Sequence, residues 1–366
     1  MKWWQKVMLG FTILVGVLYL GSWLAMFISP EFFWPISFLG LGYFPVVILY
    51  SICMIIWLFM RRKIFWWMFL FLAMGFTAHF RHFGFGGLTK ADPDGKRVYT
   101  ILQYNVQGFD AYNKEGKYKY RDEIVSNIGQ EKPDVVCLEE FNTYTNHPKE
   151  KSNLNIVLEA TGLTHYYYYK AYENEKTTRS FGLIILSRFP IVNSGRLEFL
   201  SLSKLNSTIY ADIAFPEDTI RVFCNHLQST QLSHRDLEFI EASNEASTDF
   251  DAERITNKLK MSFALRAQEA DTVNRHMALS PHPIISCGDF NDTPVSYTYQ
   301  KMSRNMQDAF LVRGIGIGAT YSQMPVIRID YMLFEDDAFK IIDYMSIKEN
   351  WSDHYPCVSR FTITTE

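Results

Sequence analysis

Across its first 90 residues the sequence has only one acidic side chain, Glu31, set against seven bases. A segment so poor in acids cannot build the mixed-charge surface of an ordinary soluble domain. Cysteine is also scarce. Five thiols in 366 residues, none at the short spacing that zinc sites use, exclude a disulfide framework and a Cys-based zinc centre. Cys53, Cys137, Cys224, Cys287 and Cys357 read as small core residues. No Gly-x-Ser-x-Gly elbow occurs, which removes a serine hydrolase of that type. No repeat of solenoid period is present. Beyond residue 90 the chain carries 29 bases and 38 acids, a net charge of −9, so it lacks the basic footprint of a constitutive nucleic-acid binder. A metal-dependent nuclease is not excluded, because a bound cation can supply local positive charge.

What the first 90 residues do have is long apolar runs. Val7–Ile28, Ile36–Met60 and Ile64–Phe80 hold 22, 25 and 17 residues. A bilayer core takes about 20 residues of helix, so three transmembrane helices are expected, the last at the short limit. Pro45 is expected to kink the second. Trp3, Trp4, Trp34, Trp66 and Trp67 lie near the run ends, as interfacial anchors do. Lys2, Lys6 and Arg61-Arg62-Lys63 flank the runs on one side, while the loop Ser29–Pro35 has neither Lys nor Arg. The positive-inside rule then puts the N-terminus and the basic link Arg61-Arg62-Lys63 in the cytoplasm, and three spans put everything after Arg81 outside it. The expected organisation is a membrane region over 1–83 (spans at about 7–28, 36–60 and 64–80), a flexible Gly-rich linker over 84–97, and a catalytic domain over 98–366.

The catalytic region is organised around Ile284-Ile285-Ser286-Cys287-Gly288-Asp289-Phe290-Asn291-Asp292-Thr293-Pro294. Its apolar opening predicts a buried strand, and Gly288 lets the backbone leave the sheet. Asp289 and Asn291, two apart on extended chain, face one pocket. Similar polar positions mark other predicted strands: Asn105 ends the alternating strand within Arg97–Gln107, Glu140 closes the strand Pro133–Glu140 that runs into two acids, His226 closes Thr219–His226, and Asp353-His354 precede Pro356–Thr364. Asp330 falls inside the apolar run Val326–Leu333. A buried carboxylate needs a partner, and His354 is the expected one. Helices are predicted near 119–129, 153–161, 252–279 and 296–304. Strands and helices alternate, which suits stacked sheets covered by helices.

Such a set suits phosphodiester or phosphomonoester hydrolysis with a hard divalent cation. Asn105, Glu140 and Asp353 offer the oxygen ligands that Mg²⁺ prefers. Asp289 can orient or deprotonate the attacking water, and Asn291 and His226 can donate to phosphate oxygens as charge builds. Asp330 would hold His354 in one tautomer. Arg179 and Arg328 are weaker candidates for binding substrate phosphate. Tyr166–Tyr169 could stack on a base or sugar but read more simply as sheet aromatics. The polar stretch 233–260 reads as a solvated helix pair or a mobile lid.

These motifs carry a resemblance. Gln103-Tyr104-Asn105-Val106, Asp134–Glu140, Ile184–Pro190, Asn225-His226-Leu227, Gly288–Asn291, Arg328–Tyr331 and Ser352-Asp353-His354 resemble the endonuclease/exonuclease/phosphatase superfamily, in family order over about 98–364. The resemblance implies an α/β fold, a four-layer sandwich of two packed mixed sheets flanked by helices. It also implies Mg²⁺ or Mn²⁺ at Asn105, Glu140 and Asp353, nucleophile positioning by Asp289, phosphate contacts from His226, Asn291 and His354, and Asp330 paired with His354. Glu139 stands where Gln is more usual. The expected function is a membrane-anchored phosphoesterase, possibly a nuclease, its partners a phosphate-ester substrate (nucleic acid, lipid headgroup or small phosphodiester) and a bilayer through 1–83, with no obligate protein partner. A lipid-headgroup phosphodiesterase or phosphatase, and a catalytically inactive scaffold or receptor, are the alternatives.

Overall fold

The computed structural model describes residues 1–89, 91–110, 118–144, 152–199, 204–230 and 249–364. Most of the expected 233–260 insertion lies outside them; its end belongs to the long helix Asp249–Ala278. The chain divides into two compact units. One is residues 1–82 with 230–268 and 292–301, and the other is 83–229 with 269–291 and 302–366. The helical unit closes at residue 82 and takes in two later segments, 230–268 and 292–301, from within the stretch that the sequence reading treats as a single domain.

The larger unit contains two six-stranded sheets. In the first the order is β11 (Phe339–Ser346), β12 (Cys357–Ile363), β1 (Tyr99–Asn105), β2 (Val135–Tyr144), β4 (Arg179–Ser187) and β3 (His165–Asn174). In the second it is β5 (Ile191–Leu197), β6 (Ser207–Ala214), β7 (Thr219–His226), β8 (Ile284–Asp289), β10 (Asp330–Glu335) and β9 (Met306–Asp308). Each sheet has one parallel pair at its centre, β1 with β2 and β7 with β8, and every other pairing is antiparallel. Parallel neighbours end on the same side, so each pair brings two carboxyl-terminal strand ends together.

Alternation sets the layers. Tyr99, Ile101, Val135, Cys137, Leu183 and Ile185 of the first sheet pack with Val222, Cys224, Ile285, Cys287, Met332 and Phe334 of the second. The residues between them, Leu102, Tyr104, Val136, Leu138, Ile184 and Leu186, face outward onto Ile124, Val125 and Ile128 of helix Arg121–Gln130 and Val157 of helix Asn153–Thr161. All five cysteines are free and buried. The strand β9 is short and the sequence pattern does not signal it. The expected flexible linker is tied down at its start. Gly84 and Gly316 exchange backbone hydrogen bonds of 2.8 and 3.0 Å, and Gly87 N donates to Gly314 O at 3.2 Å.

In the helical unit Trp3–Leu24 and Tyr43–Met60 are long and apolar enough to cross a membrane. Thr12 accepts from Trp57 Nε1 at 2.9 Å and Tyr19 stacks on Tyr50, so the two helices run antiparallel. The second expected span is not one kinked helix. Pro35–Leu41 ends at Gly42, and Pro45 falls in the first turn of Tyr43–Met60, where its missing N–H costs nothing. The third expected span is broken at Gly75 into Arg62–Met74 and Phe76–Phe80. At 1.5 Å per residue its first piece reaches only about 20 Å. The break is held together by donors to the Leu72 carbonyl, from Tyr19 Oη at 2.9 Å and Gly75 N at 3.1 Å.

Candidate active site

The inward face of each central strand pair continues past the apolar core into polar residues. On β1 the inward series Ile101, Gln103, Asn105 ends polar; on β2 it is Val135, Cys137, Glu139. On β7 it is Val222, Cys224, His226, and on β8 Ile285, Cys287, Asp289. Register completes the cluster. His226 and Asp330 both pair with Asp289, and Asn105 pairs with Glu139.

Glu140 does not follow the end of β2 as expected. It sits within the strand at a bulge, where the register slips between Leu138 and Phe141 and Glu140 adopts a left-handed φ of 50°. Strict alternation would turn Glu140 outward; the bulge re-aims it. Glu139 keeps the inward position and is fully buried. Gln103 Nε2 donates to it at 2.8 Å and Cys224 Sγ at 3.2 Å. Burial first, then the charge of Asp330, holds its carboxyl well above the usual range. Glu140 remains 42% exposed, so only the second acid of the pair is accessible to a ligand.

Asp289 is the hub. Its Oδ2 lies 3.2 Å from Asn105 Nδ2, 3.1 Å from Asn291 Nδ2, 3.6 Å from His354 Nε2 and 3.8 Å from His226 Nε2. Its Oδ1 accepts from the Asn291 backbone at 2.8 Å. The carboxyl is pushed up to about 6, chiefly by burial, with His354 pulling it down and Asp330 pushing it up. Gly288 before it has a φ of 137°, and a β-carbon there would stand 2.6 Å from Asn225 N, so the close approach of β7 and β8 requires glycine.

The expected Asp330–His354 pair is present, with His354 Nδ1 2.9 Å from Asp330 Oδ2. Burial alone would lower the His354 pKa, but Asp330 and then Asp289 outweigh it and hold the imidazolium well above its ordinary range. His226 Nδ1 contacts Leu205 O at 3.2 Å, which turns Nε2 toward Glu140 at 3.7 Å and toward Asp289. Asp353, also raised by burial and by Glu140, accepts from Ser352 Oγ at 3.3 Å, while that hydroxyl also reaches Asn105 O at 2.8 Å.

Two expectations need correction. Arg328 is not offered to a substrate. It is 2% exposed, donates to Asp308 at 2.6 Å and lies between the rings of Phe310 and Tyr331. Asn291 does not present its amide hydrogens outward. Nδ2 donates to Leu227 O at 3.0 Å and to Asp289, which makes it a support for Asp289. Arg179, at the start of β4, rests against Phe181 and Tyr118. The β3 tyrosines belong to the sheet: Tyr168 donates to Ser180 at 2.9 Å and Tyr169 accepts from Arg196 at 2.6 Å.

Sequence reasoning missed Gln103, which bridges Glu139 and Asp330 (3.1 Å), although its inward parity with Asn105 was visible. It also missed Tyr321. That ring meets His354 edge-on at 5.4 Å, and its hydroxyl is pushed up to about 12 by burial and by Asp353, Asp289 and Glu140. No local pattern marks it.

Ligand atoms of Asp289, Asp330 and His354 lie within 4.8 Å of one another. Asp330 and His354 already bind each other, however, and Asp330 also accepts from Gln103, so this trio reads as a hydrogen-bonded relay. The donors that fit a hard cation are the oxygens of Asn105, Glu140 and Asp353. Glu140 and Asp353 repel each other in a way that a divalent cation would relieve.

A two-sheet α/β sandwich with acids, amides and histidines at the carboxyl ends of its central strands defines a phosphoesterase-type protein. The Endonuclease/Exonuclease/phosphatase family model matches residues 102–354, and the chain belongs to that family. A second model, described only as a domain of unknown function, matches residues 5–82. An endonuclease/exonuclease/phosphatase from Beutenbergia cavernae is similar in structure at a TM-score of 0.52 and 18% identity, covering 73% of this chain and 72% of that one. The human Nocturnin catalytic domain with bound sulfate anion gives 0.52 and 17%, covering 75% and 97%. A humanized D. rerio TDP2 gives 0.50 and 15%, covering 72% and 99%. At these identities the likeness concerns the fold. No curated protein matches the sequence.

Proposed function

We propose that the protein is a membrane-anchored, Mg²⁺- or Mn²⁺-dependent phosphoesterase acting outside the cytoplasm. The observation that carries this reading is the convergence on Asp289 of Asn105, His226, Asn291 and His354 from two sheets, next to the accessible Glu140. Asn105, Glu140 and Asp353 would hold the cation, which when bound neutralises phosphate charge. Asp289, ionised above about pH 6, accepts a proton from the attacking water. Asn291 fixes both oxygens of that carboxylate. His354, charged and anchored through Nδ1 to Asp330, presents Nε2 to the phosphoryl oxygens, and His226 presents Nε2 from the other side. A catalytically inactive scaffold would be expected to lack some of these side chains, and the sequence holds all of them.

Membrane anchoring is supported by exposure. A core helix of a soluble protein is mostly buried, whereas both long apolar helices are 22% buried. Phe11, Ile13, Leu14 and Val17 stand exposed on the first, a surface that suits lipid. Orientation is supported inside the helical unit. Lys2, Lys6 and Arg61–Lys63 mark one end of the antiparallel pair. At the other end Trp34 and Phe38 pack with Lys260 and Phe263, and Gln268 reaches Glu31. The loop 29–35 at this end has neither Lys nor Arg, and that asymmetry between the two ends supports an outward-facing catalytic region.

A phosphate ester in a lipid headgroup is favoured over nucleic acid by the −9 charge, since nucleic-acid affinity rests on basic contacts. The test is a hydrolysis panel with the full chain in nanodiscs, comparing plasmid DNA, RNA, phosphoinositides, sphingomyelin and bis(p-nitrophenyl) phosphate. Turnover of at least one class is expected. Inertness toward all of them with Mg²⁺ and Mn²⁺ present would remove the enzymatic reading.

A further inference from the structure

The polypeptide passes from the catalytic unit into the helical unit immediately after Asn291. The segment that follows is built into the helical unit at several independent points. Asp292 forms an ion pair with Arg266 at 3.3 Å, the arginine being 2% exposed. Val295, fully buried, belongs to the same core as Tyr19, Met26, Tyr43 and Ala78. Gly40 lets the backbone approach so closely that a β-carbon there would stand 2.6 Å from Val295 O and 2.8 Å from Ala25 Cβ. Arg81 donates to Pro294 O at 3.5 Å and to Gln300, with Tyr299 beneath it. A second crossing between the units lies within the continuous helix Asp249–Ala278, after Gln268. These anchors far exceed what a passive tether needs, since a tether requires only a linker before β1.

We propose that the helical unit positions the catalytic loop. The segment Asp292–Lys301, locked among the membrane helices, fixes the downstream end of Gly288–Asn291, and β8 fixes the upstream end. Only four peptide bonds separate Asn291 from the buried Val295, so little slack remains to absorb a shift. Loosening the segment lets Asn291 drift from its left-handed conformation and from Asp289, both of whose oxygens it holds. The membrane region then acts as a positioning element for the reaction, and turnover depends on its integrity. The activity arm rests on the phosphoesterase reading above; the exchange arm does not.

The experiment uses the full chain in phosphatidylcholine nanodiscs, with bis(p-nitrophenyl) phosphate and Mg²⁺ for kinetics and hydrogen exchange of the backbone as a second readout. Gly40→Leu wedges the helix Pro35–Leu41 away from Val295, and Arg81→Met removes the contacts to Pro294 and Gln300 without added volume. Gly10→Leu, where nothing lies within 4 Å, is the control. Both test variants are expected to lower kcat by about tenfold to a hundredfold with KM little changed. They are also expected to speed exchange at the Phe290 and Asn291 amides, which donate to Ile329 O and Asp289. Gly10→Leu should match wild type. Faster exchange over 292–301 with kcat and the 290–291 amides unchanged would overturn the proposal, and so would full protection of 292–301 in both variants. Should Gly40→Leu fail to fold, Arg81→Met decides alone. If the wild type shows no turnover, the activity reading fails while exchange still decides this one.

Discussion

Val17 and Val192 are almost equally exposed, 60% and 62%, yet they belong to regions with opposite rules. Around Val17 the surface is apolar and the few polar groups turn inward, as Thr12 does toward Trp57. In the catalytic unit the core is apolar and polar groups gather at strand ends. An exposed valine in the second is ordinary, while in the first Val17 shares its exposed helix face with Phe11, Ile13 and Leu14, an apolar patch that suits the proposed lipid contact. Residue type alone therefore says little; what surrounds the side chain decides its meaning.

The largest effect that would break this contrast is in the site. Asp289→Ala and His354→Ala are each expected to reduce kcat by about 10²–10⁴-fold, measured by steady-state hydrolysis, with the fold retained by circular dichroism. Arg328→Met should do the reverse. Removing one partner of a buried ion pair strands Asp308 and costs about 3–5 kcal/mol, read by denaturant unfolding, while the protein that remains folded keeps its kcat. The two valines give the next test. If the proposed anchoring holds, Val17→Lys puts a charge on its lipid face at about 2.5–3.5 kcal/mol and should reduce membrane integration in a fractionation assay. Val192→Lys should change stability by no more than about 0.5 kcal/mol.

The smallest effect concerns pH. Asp289 has a folded pKa of about 6 against an ordinary 3.8, so its ionised form is disfavoured by folding. Below about pH 4 both states hold the proton and nothing is lost. Between about 4 and 6 the unfolded chain releases it first, so this group lowers stability as pH rises, and above about 6 the penalty is constant. Asp289→Asn should therefore stabilise the metal-free protein at pH 7 by about 1–2 kcal/mol, less than the full shift because His354 loses an attractive partner. Thermal unfolding at pH 7 and pH 4 should show the gain only at the higher value.

Much of this contrast is legible before any coordinates. Alternation along β1, β7 and β8 ends on Asn105, His226 and Asp289, so a period of two suffices to place them on one face. The long apolar runs are equally plain. What escapes the sequence depends on backbone irregularity or on distant chain. The bulge that separates Glu139 from Glu140 has no signature in two identical letters, and a strict period would have chosen the wrong acid to face the cleft. Arg328 looks like a phosphate ligand until Asp308 and two rings are seen to enclose it. Gly42 and Gly75 break helices inside runs whose hydropathy continues without interruption. The capture of Asp292–Lys301 by the helical unit arises from packing between segments some 250 residues apart, which no local pattern encodes.

The central claim is that the oxygens of Asn105, Glu140 and Asp353 hold a cation beside Asp289. It is tested most directly by following bis(p-nitrophenyl) phosphate hydrolysis by the full chain through EDTA treatment and re-addition of Mg²⁺ or Mn²⁺, in wild type and in Glu140→Gln. Turnover should vanish on chelation, return with metal in the wild type, and fail to return at the same concentration in the variant. Hydrolysis that survives chelation, or a variant restored as readily as the wild type, would contradict it.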